Sequence, residues 1–364
     1  MTDSIRNNDY IHIVGARPNF MKMAPVYRAL EGRAAQSIVH TGQHYDAQMS
    51  ENFFQVLDIP DPMLNLAVGA GSHAEQTGRI LIELGAIFES SSPRAVIVYG
   101  DVNSTLAAAL AASKIGIPVI HVESGLRSYD NTMPEEINRI VVDRLSALLL
   151  TYSRDAGENL RLEGVSETKI NFVGNTMIDT LSRMLPQARV QDLSGLGIPD
   201  GPFGLVTLHR PSNVDEAKRI SSIADALVET AKRLPLVFPV HPRTRARLSD
   251  LKLTLPGVQL LEPQGYTSFI ALQDRATVVV TDSGGVQEEA TWLNTPCLTL
   301  RPNTERPVTI SHGTNTLLGE DPREILPHVC EILDGRYKEA RAPEGWDGEA
   351  GLRAASSIIK RFGA

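Results

Sequence analysis

The chain has 364 residues, which is enough for about two domains of roughly 100–200 residues each. Its net charge of −8 does not suggest a nucleic acid or an anionic membrane as a partner. The two cysteines, Cys297 and Cys330, form neither a disulfide framework nor a paired metal-binding spacing. Because no apolar run approaches a membrane span of ~20 residues and the N-terminus has no apolar signal core, we expect a cytoplasmic protein.

Short apolar runs alternate with helical patterns through the first half, which indicates parallel βαβ units. The predicted strands cover residues 10–14, 37–40, 95–99, 119–122, 147–151 and 170–173. The predicted helices cover residues 21–30, 46–57, 74–88 and 106–114, and another begins at Pro134.

The segment 184–202 is rich in proline and glycine, and it is the best candidate for a linker. After it the alternation restarts, with strands predicted at residues 204–208, 236–240, 258–261, 277–281 and 297–300. We therefore predict an α/β protein of two Rossmann-like, doubly wound domains that face a central cleft. The predicted domains are residues 1–183 and 184–345, and a helix at 346–362 is expected to pack back on the first domain.

Three acidic residues follow or flank elements of the first domain. Glu123 ends a buried strand, Asp101 follows the preceding strand, and Glu135 lies in the first turn of a helix that Pro134 begins. Because the ends of neighbouring parallel strands line one crevice, these carboxylates are expected to converge there, as a proton-transfer site requires. Taken singly, Glu135 is also consistent with a residue that complements the helix dipole, and Asp101 with a turn residue.

The first strand runs into the loop Gly15-Ala16-Arg17-Pro18-Asn19 and then a helix that contains Lys22. A strand, a glycine loop and a helix N-terminus together favour anion binding, which Arg17 and Lys22 would strengthen. The alternative is that both are surface cations. No G-x-G-x-x-G pattern is present, so a nicotinamide or flavin fingerprint is absent.

The strongest local motif in the second half is Ser283-Gly284-Gly285, which joins a buried strand to a helix. The glycines let a phosphate approach the backbone, and the amides and the Ser283 hydroxyl donate to it. Glu288 and Glu289 lie one turn further on, and an acid there can accept from two ribose hydroxyls, as acids do in dinucleotide folds. The alternative is a glycine-rich turn followed by a dipole-matching pair of glutamates.

Together these residues resemble the non-hydrolysing UDP-N-acetylglucosamine 2-epimerases over most of the chain. Eight motifs in order carry the resemblance: Gly15-Ala16-Arg17-Pro18 with Lys22, Tyr99-Gly100-Asp101, His121-Val122-Glu123-Ser124-Gly125-Leu126-Arg127, Pro134-Glu135-Glu136-Ile137-Asn138-Arg139, Val173-Gly174-Asn175, Leu208-His209-Arg210, Asp282-Ser283-Gly284-Gly285-Val286-Gln287-Glu288-Glu289 and Thr304-Glu305-Arg306-Pro307. The resemblance implies a glycosyltransferase-B-like fold, no nicotinamide or metal cofactor, and a UDP-sugar substrate. We also expect a homodimer.

By this resemblance Asp101, Glu123 and Glu135 would be the catalytic carboxylates. His209 would lie by the diphosphate and the sugar, and Lys22 would add charge at the active site. The positions expected to bind the UDP-sugar are Arg17, Arg210, Phe269 (which would pack on the uracil), Ser283, Gly284, Gly285, Glu289 (which would take the ribose hydroxyls) and Arg306. The implied reaction converts UDP-GlcNAc to UDP-ManNAc by elimination of UDP to a 2-acetamidoglucal and re-addition.

Two departures from the family pattern bear on substrate and regulation. The loop Ala16-Arg17-Pro18-Asn19-Phe20 is similar to that of enzymes acting on diacetamido-uronic acid derivatives, which makes such a sugar the alternative substrate. Many bacterial members also need a second UDP-GlcNAc, held partly by a Gln-His-Arg segment. Here Gln43-His44 is followed by Tyr45-Asp46. We therefore expect no such requirement, although His241, Arg210 and Glu136 remain as a partial pocket.

Rival hypotheses are a nucleotide-sugar glycosyltransferase of the same fold, a catalytically silent nucleotide-sugar sensor and a hydrolysing epimerase. Three carboxylates from the first domain are not explained by a transferase.

Overall fold

The computed structural model describes residues 9–43, 54–198 and 200–364. These residues form two compact units. Unit 1 runs to Thr180 and also takes in Glu344–Ala364, whereas unit 2 comprises Leu181–Pro343.

Unit 1 contains a parallel sheet flanked by helices. Its strands are β1 (Tyr10–Val14), β2 (Gln36–His40), β3 (Leu64–Asn65), β4 (Ala95–Tyr99), β5 (Val119–Ser124), β6 (Leu148–Thr151) and β7 (Ile170–Phe172). Its helices up to the unit boundary are α1 (Arg17–Leu30), α2 (His73–Ser91), α3 (Asn103–Lys114), α4 (Pro134–Leu145), α5 (Arg154–Leu162) and α6 (Thr176–Arg189), with a 3₁₀ turn at Glu167–Lys169. Every residue of β4 and β5 is buried, as expected for central strands covered on both faces.

Unit 2 repeats the plan. Its strands are β8 (Gly204–Thr207), β9 (Leu236–Pro239), β10 (Val258–Leu261), β11 (Val278–Thr281), β12 (Cys297–Thr299) and β13 (Asn315–Leu317). Its helices are α7 (Pro211–Val214), α8 (Ala217–Ala231), α9 (Pro242–Asp250), α10 (Tyr266–Arg275), α11 (Gly284–Leu293), α12 (Pro307–Ser311) and α13 (Ile325–Leu333), with 3₁₀ turns at Ser194–Leu196 and Pro322–Glu324.

The strand order reverses once in each sheet. The order is β3-β2-β1-β4-β5-β6-β7 in unit 1 and β10-β9-β8-β11-β12-β13 in unit 2, and all the pairings are parallel. A crevice opens where the connections leave such a sheet in opposite directions, and ligands bind there. The reversal lies between β1 and β4 in unit 1 and between β8 and β11 in unit 2. The strand-end motifs of both halves therefore lie at or beside these points.

The last helix, α14 (Ala350–Phe362), packs on α1 in unit 1. The approach is close, because a Cβ added to Gly351 would lie 2.6 Å from the carbonyl oxygen of Pro25. The carboxylate of Asp179 accepts from the amides of Ala350 (3.1 Å) and Gly351 (2.7 Å), so it caps the start of α14. Burial raises the pKa of Asp179 to about 6, although these hydrogen bonds oppose the shift.

Several boundaries differ from the sequence predictions. Helix α1 begins at Arg17 rather than at residue 21, because Pro18 is compatible with the first turn and the Asn19 side chain accepts from the amides that precede the helix. Lys22 thus lies in the second turn. The segment 184–202 begins as the end of α6, and Trp346 precedes α14 and packs on Tyr152. The predicted helix 46–57 lies mainly outside the described residues.

Candidate active site

Lys22 and Glu123 form a buried ion pair in unit 1. Their side chains are 6% and 5% exposed, and Lys22 Nζ donates to Glu123 Oε2. Gly100, at the end of β4, makes room for the pair: a Cβ there would lie 2.8 Å from Lys22 Nζ and 3.0 Å from Glu123 Oε2. Gly100 also has a φ of +63°, which glycine adopts without steric penalty. The ends of β4 and β5 and helix α1 thus meet at one charged point.

The backbone of Glu123 is unusual. Its φ of +68° lies in the left-handed region, and the pairing of β5 with β6 shifts register between Val122 and Ser124. A bulge of this kind turns a side chain to a new direction at a strand end. A non-glycine residue held in this conformation by its surroundings is typical of functional sites.

Asp101 lies at the end of the neighbouring strand and is held by α4. Arg139 donates to Oδ2 of Asp101 from Nη2 (2.5 Å) and Nε (3.2 Å). Asn138 donates to the Asp101 backbone carbonyl at 2.8 Å. The Asp101 side chain is 22% exposed, so it reaches the surface of a crevice although its backbone and carboxylate are both held by α4.

Glu135 is half-buried in the first turn of α4 and, with Asp101, lines a cavity of about 300 Å³ in unit 1. The other residues that line this cavity are Gln43, Ala70, Gly71, His73, Gln76, Val102, Asn103 and Asn138. The structure therefore brings Glu135 and Asp101 together at one cavity, and it brings Glu123 and Lys22 together beside Gly100.

The loop after β1 is tightly fixed. Asn19 is buried, its Oδ1 accepts from the amides of Gly15 (3.1 Å) and Ala16 (3.0 Å), and its Nδ2 donates to the carbonyl of Tyr99 (2.8 Å). Arg17, the first residue of α1, is exposed. Asn19 therefore shapes the loop from within, whereas Arg17 presents its charge at the helix N-terminus.

In unit 2, Ser283 is the N-cap of α11, and Gly284 and Gly285 are its first two residues. A Cβ on Gly284 would lie 2.5 Å from Nη1 of Arg306, so this guanidinium lies directly against the glycine backbone. Arg306 is held there by Glu288, to which its Nε donates at 2.7 Å, and by Glu305. Backbone amides and a fixed guanidinium at a helix start are groups that favour anion binding.

His209 and Arg210, which follow β8, are held by Asp282, which follows β11. The Asp282 carboxylate accepts from the amides of His209 and Arg210 and lies 3.2 Å from Nδ1 of His209. Burial would raise the pKa of Asp282, but the hydrogen bonds, led by that with His209, outweigh it and lower the pKa. The His209 side chain remains 44% exposed and is oriented by a buried acid.

Glu289 lies one turn into α11 and is buried. Its carboxylate accepts from Gln273 Nε2 (2.6 Å) and from the Tyr266 hydroxyl (3.0 Å), both on α10. Burial raises the pKa of Glu289 to about 7, although these two hydrogen bonds oppose the shift. Phe269 lies on the same helix, between the two donors, and is half-buried. Phe269 thus lies on the helix that supplies both hydrogen-bond donors of Glu289.

The sequence analysis missed the residues that hold the candidate site residues in place. Arg139 holds Asp101, and Asp282 orients His209. Glu305, whose pKa is held well below its usual range by Arg306 and Arg301 despite its burial, fixes Arg306. The only local signal was the spacing of Glu136 and Arg139, three residues apart on a helix.

Within the described ranges, no group of three or more His, Cys, Asp or Glu side chains is placed to hold a metal ion. No helix that the structure describes is long and apolar enough to cross a membrane.

Comparison with known proteins yields consistent matches. A family model described as UDP-N-acetylglucosamine 2-epimerase matches residues 28–359. The UDP-N-acetylglucosamine 2-epimerase of Methanocaldococcus jannaschii is 41% identical over 94% of this chain and 96% of that protein. The UDP-2,3-diacetamido-2,3-dideoxy-D-glucuronate 2-epimerase of Pseudomonas aeruginosa is 45% identical over 96% of this chain and 98% of that protein. The crystal structure of the M. jannaschii enzyme in complex with UDP-GlcNAc and UDP matches with a TM-score of 0.90 at 39% identity, covering 97% of this chain and 99% of that chain.

Proposed function

The chain belongs to the UDP-N-acetylglucosamine 2-epimerase family, and we propose that it inverts C2 of a UDP-linked 2-acetamido sugar, converting UDP-GlcNAc to UDP-ManNAc. It is an isomerase with the glycosyltransferase-B-like fold of two parallel-sheet α/β domains. The observation that supports the proposal is the placement of three carboxylates in unit 1, after β4, at the end of β5 and in the first turn of α4. Glu123 lies on a bulge against Lys22. Asp101 and Glu135 lie at the neighbouring cavity.

The reaction begins with loss of the C2 proton to a carboxylate and departure of UDP from C1. The C2–H and C1–O bonds break, a C1=C2 double bond forms, and the products are a 2-acetamidoglucal and UDP. In the second half, UDP adds back to C1 and a carboxylic acid delivers a proton to the opposite face of C2. Inversion needs an acceptor on one face and a donor on the other, which several carboxylates can supply and a single one cannot easily supply.

The proposed roles follow the chemistry of each unit. In unit 1, Asp101, Glu123 and Glu135 exchange protons with the sugar, and Lys22 holds Glu123 and adds positive charge. In unit 2, the α11 amides with Ser283 and Arg306 bind the diphosphate and stabilise it as the leaving group, as fixed donors do for developing negative charge. His209 and Arg210 are proposed to contact the diphosphate, and Arg17 is proposed as a further positive charge for binding UDP.

The nucleoside is proposed to bind through α10 and α11. Phe269 packs on the uracil, and Glu289 accepts from the ribose hydroxyls in place of its present donors, Tyr266 and Gln273. The grouping of these side chains in unit 2 supports the assignment.

A second candidate substrate is the UDP-linked diacetamido-uronic acid named for the P. aeruginosa relative. The 45% identity to that protein favours it, as does the loop that contains Asn19 and Phe20. Asn19 bonds only to backbone groups among the contacts described for its side chain, and Phe20 is buried against His40. This loop would therefore influence the sugar through the position of Arg17 rather than by direct contact.

NMR of the product mixture separates the candidates. Incubation with UDP-GlcNAc and, separately, with the diacetamido-uronate, without an acceptor, should yield an equilibrium mixture of two C2 epimers from the true substrate. A glycosyltransferase would leave the sugar unchanged or hydrolyse it, a hydrolysing epimerase would release free ManNAc with UDP, and a sensor would only bind.

The same experiment in D₂O tests the mechanism. Solvent deuterium should appear at C2 of both epimers, because the catalytic carboxyl groups exchange their protons with solvent between turnovers. Epimerisation with full retention of the original hydrogen would rule out proton exchange by Asp101, Glu123 or Glu135.

A homodimer and a cytoplasmic location remain predictions from the sequence. Sedimentation analysis of the purified chain tests the first, and cell fractionation tests the second.

A further inference from the structure

Glu136 is adjacent to the proposed catalytic Glu135 but has a different environment. It is 1% exposed, and its carboxylate accepts four hydrogen bonds. Three come from the loop before α4: the amide and hydroxyl of Ser128 donate to Oε2, each at 2.9 Å, and the amide of Tyr129 donates to Oε1 at 2.8 Å. The fourth comes from Nη1 of Arg139 at 2.6 Å. Glu136 is therefore bound within the protein on both oxygens.

The loop that Glu136 holds contains a strained residue. Tyr129 has a φ of +58°, which is a genuine outlier for a bulky side chain, and it is 75% exposed. Its hydroxyl donates to Asn159 on α5 at 2.8 Å. Burial of the ring does not hold this conformation in place, so the bond from its amide to Glu136 and the tether to Asn159 must do so. This loop connects Glu123 to Glu135 along the chain.

Arg139 links Glu136 to Asp101. Its Nη1 donates to Glu136, while Nη2 (2.5 Å) and Nε (3.2 Å) donate to Oδ2 of Asp101. Arg139 is 2% exposed, and a planar guanidinium held by two carboxylates has little freedom. Asn138 adds a bond to the Asp101 carbonyl. One turn of α4 therefore fixes both the backbone and the side chain of Asp101.

We infer that Glu136 and Arg139 are positioning residues for Asp101. Glu136 holds the guanidinium of Arg139, and Arg139 holds the Asp101 carboxylate in the orientation that proton transfer at C2 requires. The inference rests on the proposed function, in which Asp101 is catalytic. Neither Glu136 nor Arg139 needs to touch the sugar. The Glu136 carboxylate also holds Ser128 and Tyr129, which lie in the loop between Glu123 and Glu135.

The first test is a conservative substitution, Arg139→Lys, which keeps the charge but cannot donate to Glu136 and Asp101 together in this fork geometry. We expect kcat to fall by about 10- to 100-fold, the size of effect caused by a misplacement of about 1 Å. KM and the dissociation constant for UDP should change by less than about twofold, because the diphosphate site lies in unit 2. Arg161→Lys is the matched control, since Arg161 makes a two-pronged pair with Glu167 at the surface (2.7 and 2.8 Å), and its kcat should equal that of the wild type.

Glu136→Gln is the second variant, of nearly equal shape. Its amide group cannot pair with Arg139 and accept from the loop on both oxygens, so kcat should again fall by about tenfold or more with KM retained. Thermal melts monitored by circular dichroism identify any variant that loses its fold. If Arg139→Lys does not fold, Glu136→Gln is the variant that tests the inference.

A double-mutant cycle separates positioning from a merely structural role. If Arg139 acts through Asp101, Arg139→Lys in an Asp101→Asn background should lower the residual kcat by less than about threefold further. A full additional loss of tenfold or more, or single variants with wild-type kcat, would overturn the inference. A wild-type protein that epimerises neither sugar overturns the proposed function and this inference with it, whereas an active wild type with additive losses overturns the inference alone.

Discussion

Both units place their polar residues where the strand order reverses, but they arrange charge in opposite ways. In unit 1 the residues proposed to act are acids, and each of Glu123 and Asp101 is held by a cation from a helix, Lys22 or Arg139. In unit 2 the groups proposed to hold the diphosphate are amides and cations, and Arg306 is held by buried acids. The same sheet topology therefore carries the proposed proton-transfer residues in one unit and the proposed anion-binding residues in the other.

The backbone conformations at the two proposed sites also differ between the units. Unit 1 holds Glu123, a proposed proton acceptor, in a left-handed conformation at a bulge. Unit 2 places Gly284 where a Cβ would meet Arg306, so the proposed anion site leaves no room for a side chain at this position. Sites that act through side chains tolerate backbone strain, whereas sites that act through amides exclude side chains. The following experiments test this contrast.

The largest effect is expected for Lys22→Met, which leaves the buried Glu123 carboxylate without its cation. Breaking one side of a buried ion pair should lower the free energy of unfolding by about 3–5 kcal/mol. Urea unfolding measures it. The double variant Lys22→Met/Glu123→Gln should recover much of the loss, because no buried charge is then unpaired. A single variant as stable as the wild type would contradict the role of the pair.

Next in size are Glu123→Gln and Glu135→Gln, which remove a proton acceptor but keep the shape. We expect kcat to fall by about 10²-fold or more for each, in line with general acid–base contributions. UDP affinity should be unchanged, since both residues belong to unit 1. Steady-state kinetics and calorimetry measure the two quantities. Near-normal turnover in either variant would make that glutamate a structural acid.

Substitutions in unit 2 should show the reverse pattern. Ser283→Ala and Glu289→Ala each remove a proposed partner of UDP and should weaken its binding by roughly 1.5–3 kcal/mol. Calorimetric titration with UDP measures the change, with Ser222→Ala, on α8, as a control outside the proposed site. Unaltered affinity would remove the assignment of the phosphate and ribose site.

The pH dependence of UDP binding should be smaller still. The pKa of Glu289 is raised to about 7, chiefly by burial, so its carboxyl group is largely protonated below that pH. If the ionised form accepts the ribose hydroxyls, affinity should rise with pH through about 7 and then level off, by up to about tenfold per pH unit below the pKa. Glu289→Gln should lose this component, whereas the titration of UDP itself is common to both proteins and cancels in the comparison. Parallel curves for the two proteins would contradict the assignment.

The smallest effect is expected from added UDP-GlcNAc as an activator. Glu136 is bound within unit 1, and Arg210 donates to the carbonyl of Asp282. Residues 44–53, which include the segment after Gln43, lie outside the described ranges. Initial rates should be hyperbolic, and the reverse reaction should start without UDP-GlcNAc. A sigmoidal rate curve would reveal a functional second site. A reverse reaction that starts only after a small amount of UDP-GlcNAc is added would do the same.

The helices and strands that are determined by residues close together in the sequence could be predicted. The runs at residues 95–99 and 119–122 are apolar throughout and form central strands. Pro134 begins α4, as its missing N–H favours. The start of α1 was missed by four residues, because Asn19 reaches back to two amides and forward to Tyr99. The short strands β3 and β13 were missed because each is a run of two or three residues with a single apolar side chain.

The sequence by itself determined the two α/β units, the positions of the acids at strand ends and the glycine-rich start of α11, because periodicity and turn chemistry act over a few residues. Only the tertiary structure decided which charged side chain pairs with which partner. Lys22 pairs with Glu123 at a separation of 101 residues, Arg139 with Asp101 at 38, and Asp179 with the start of α14 at more than 170. Such pairings depend on how strands order in a sheet and how helices pack on it. Burial then makes each pairing consequential, because an acid removed from water needs a partner that the linear sequence does not identify.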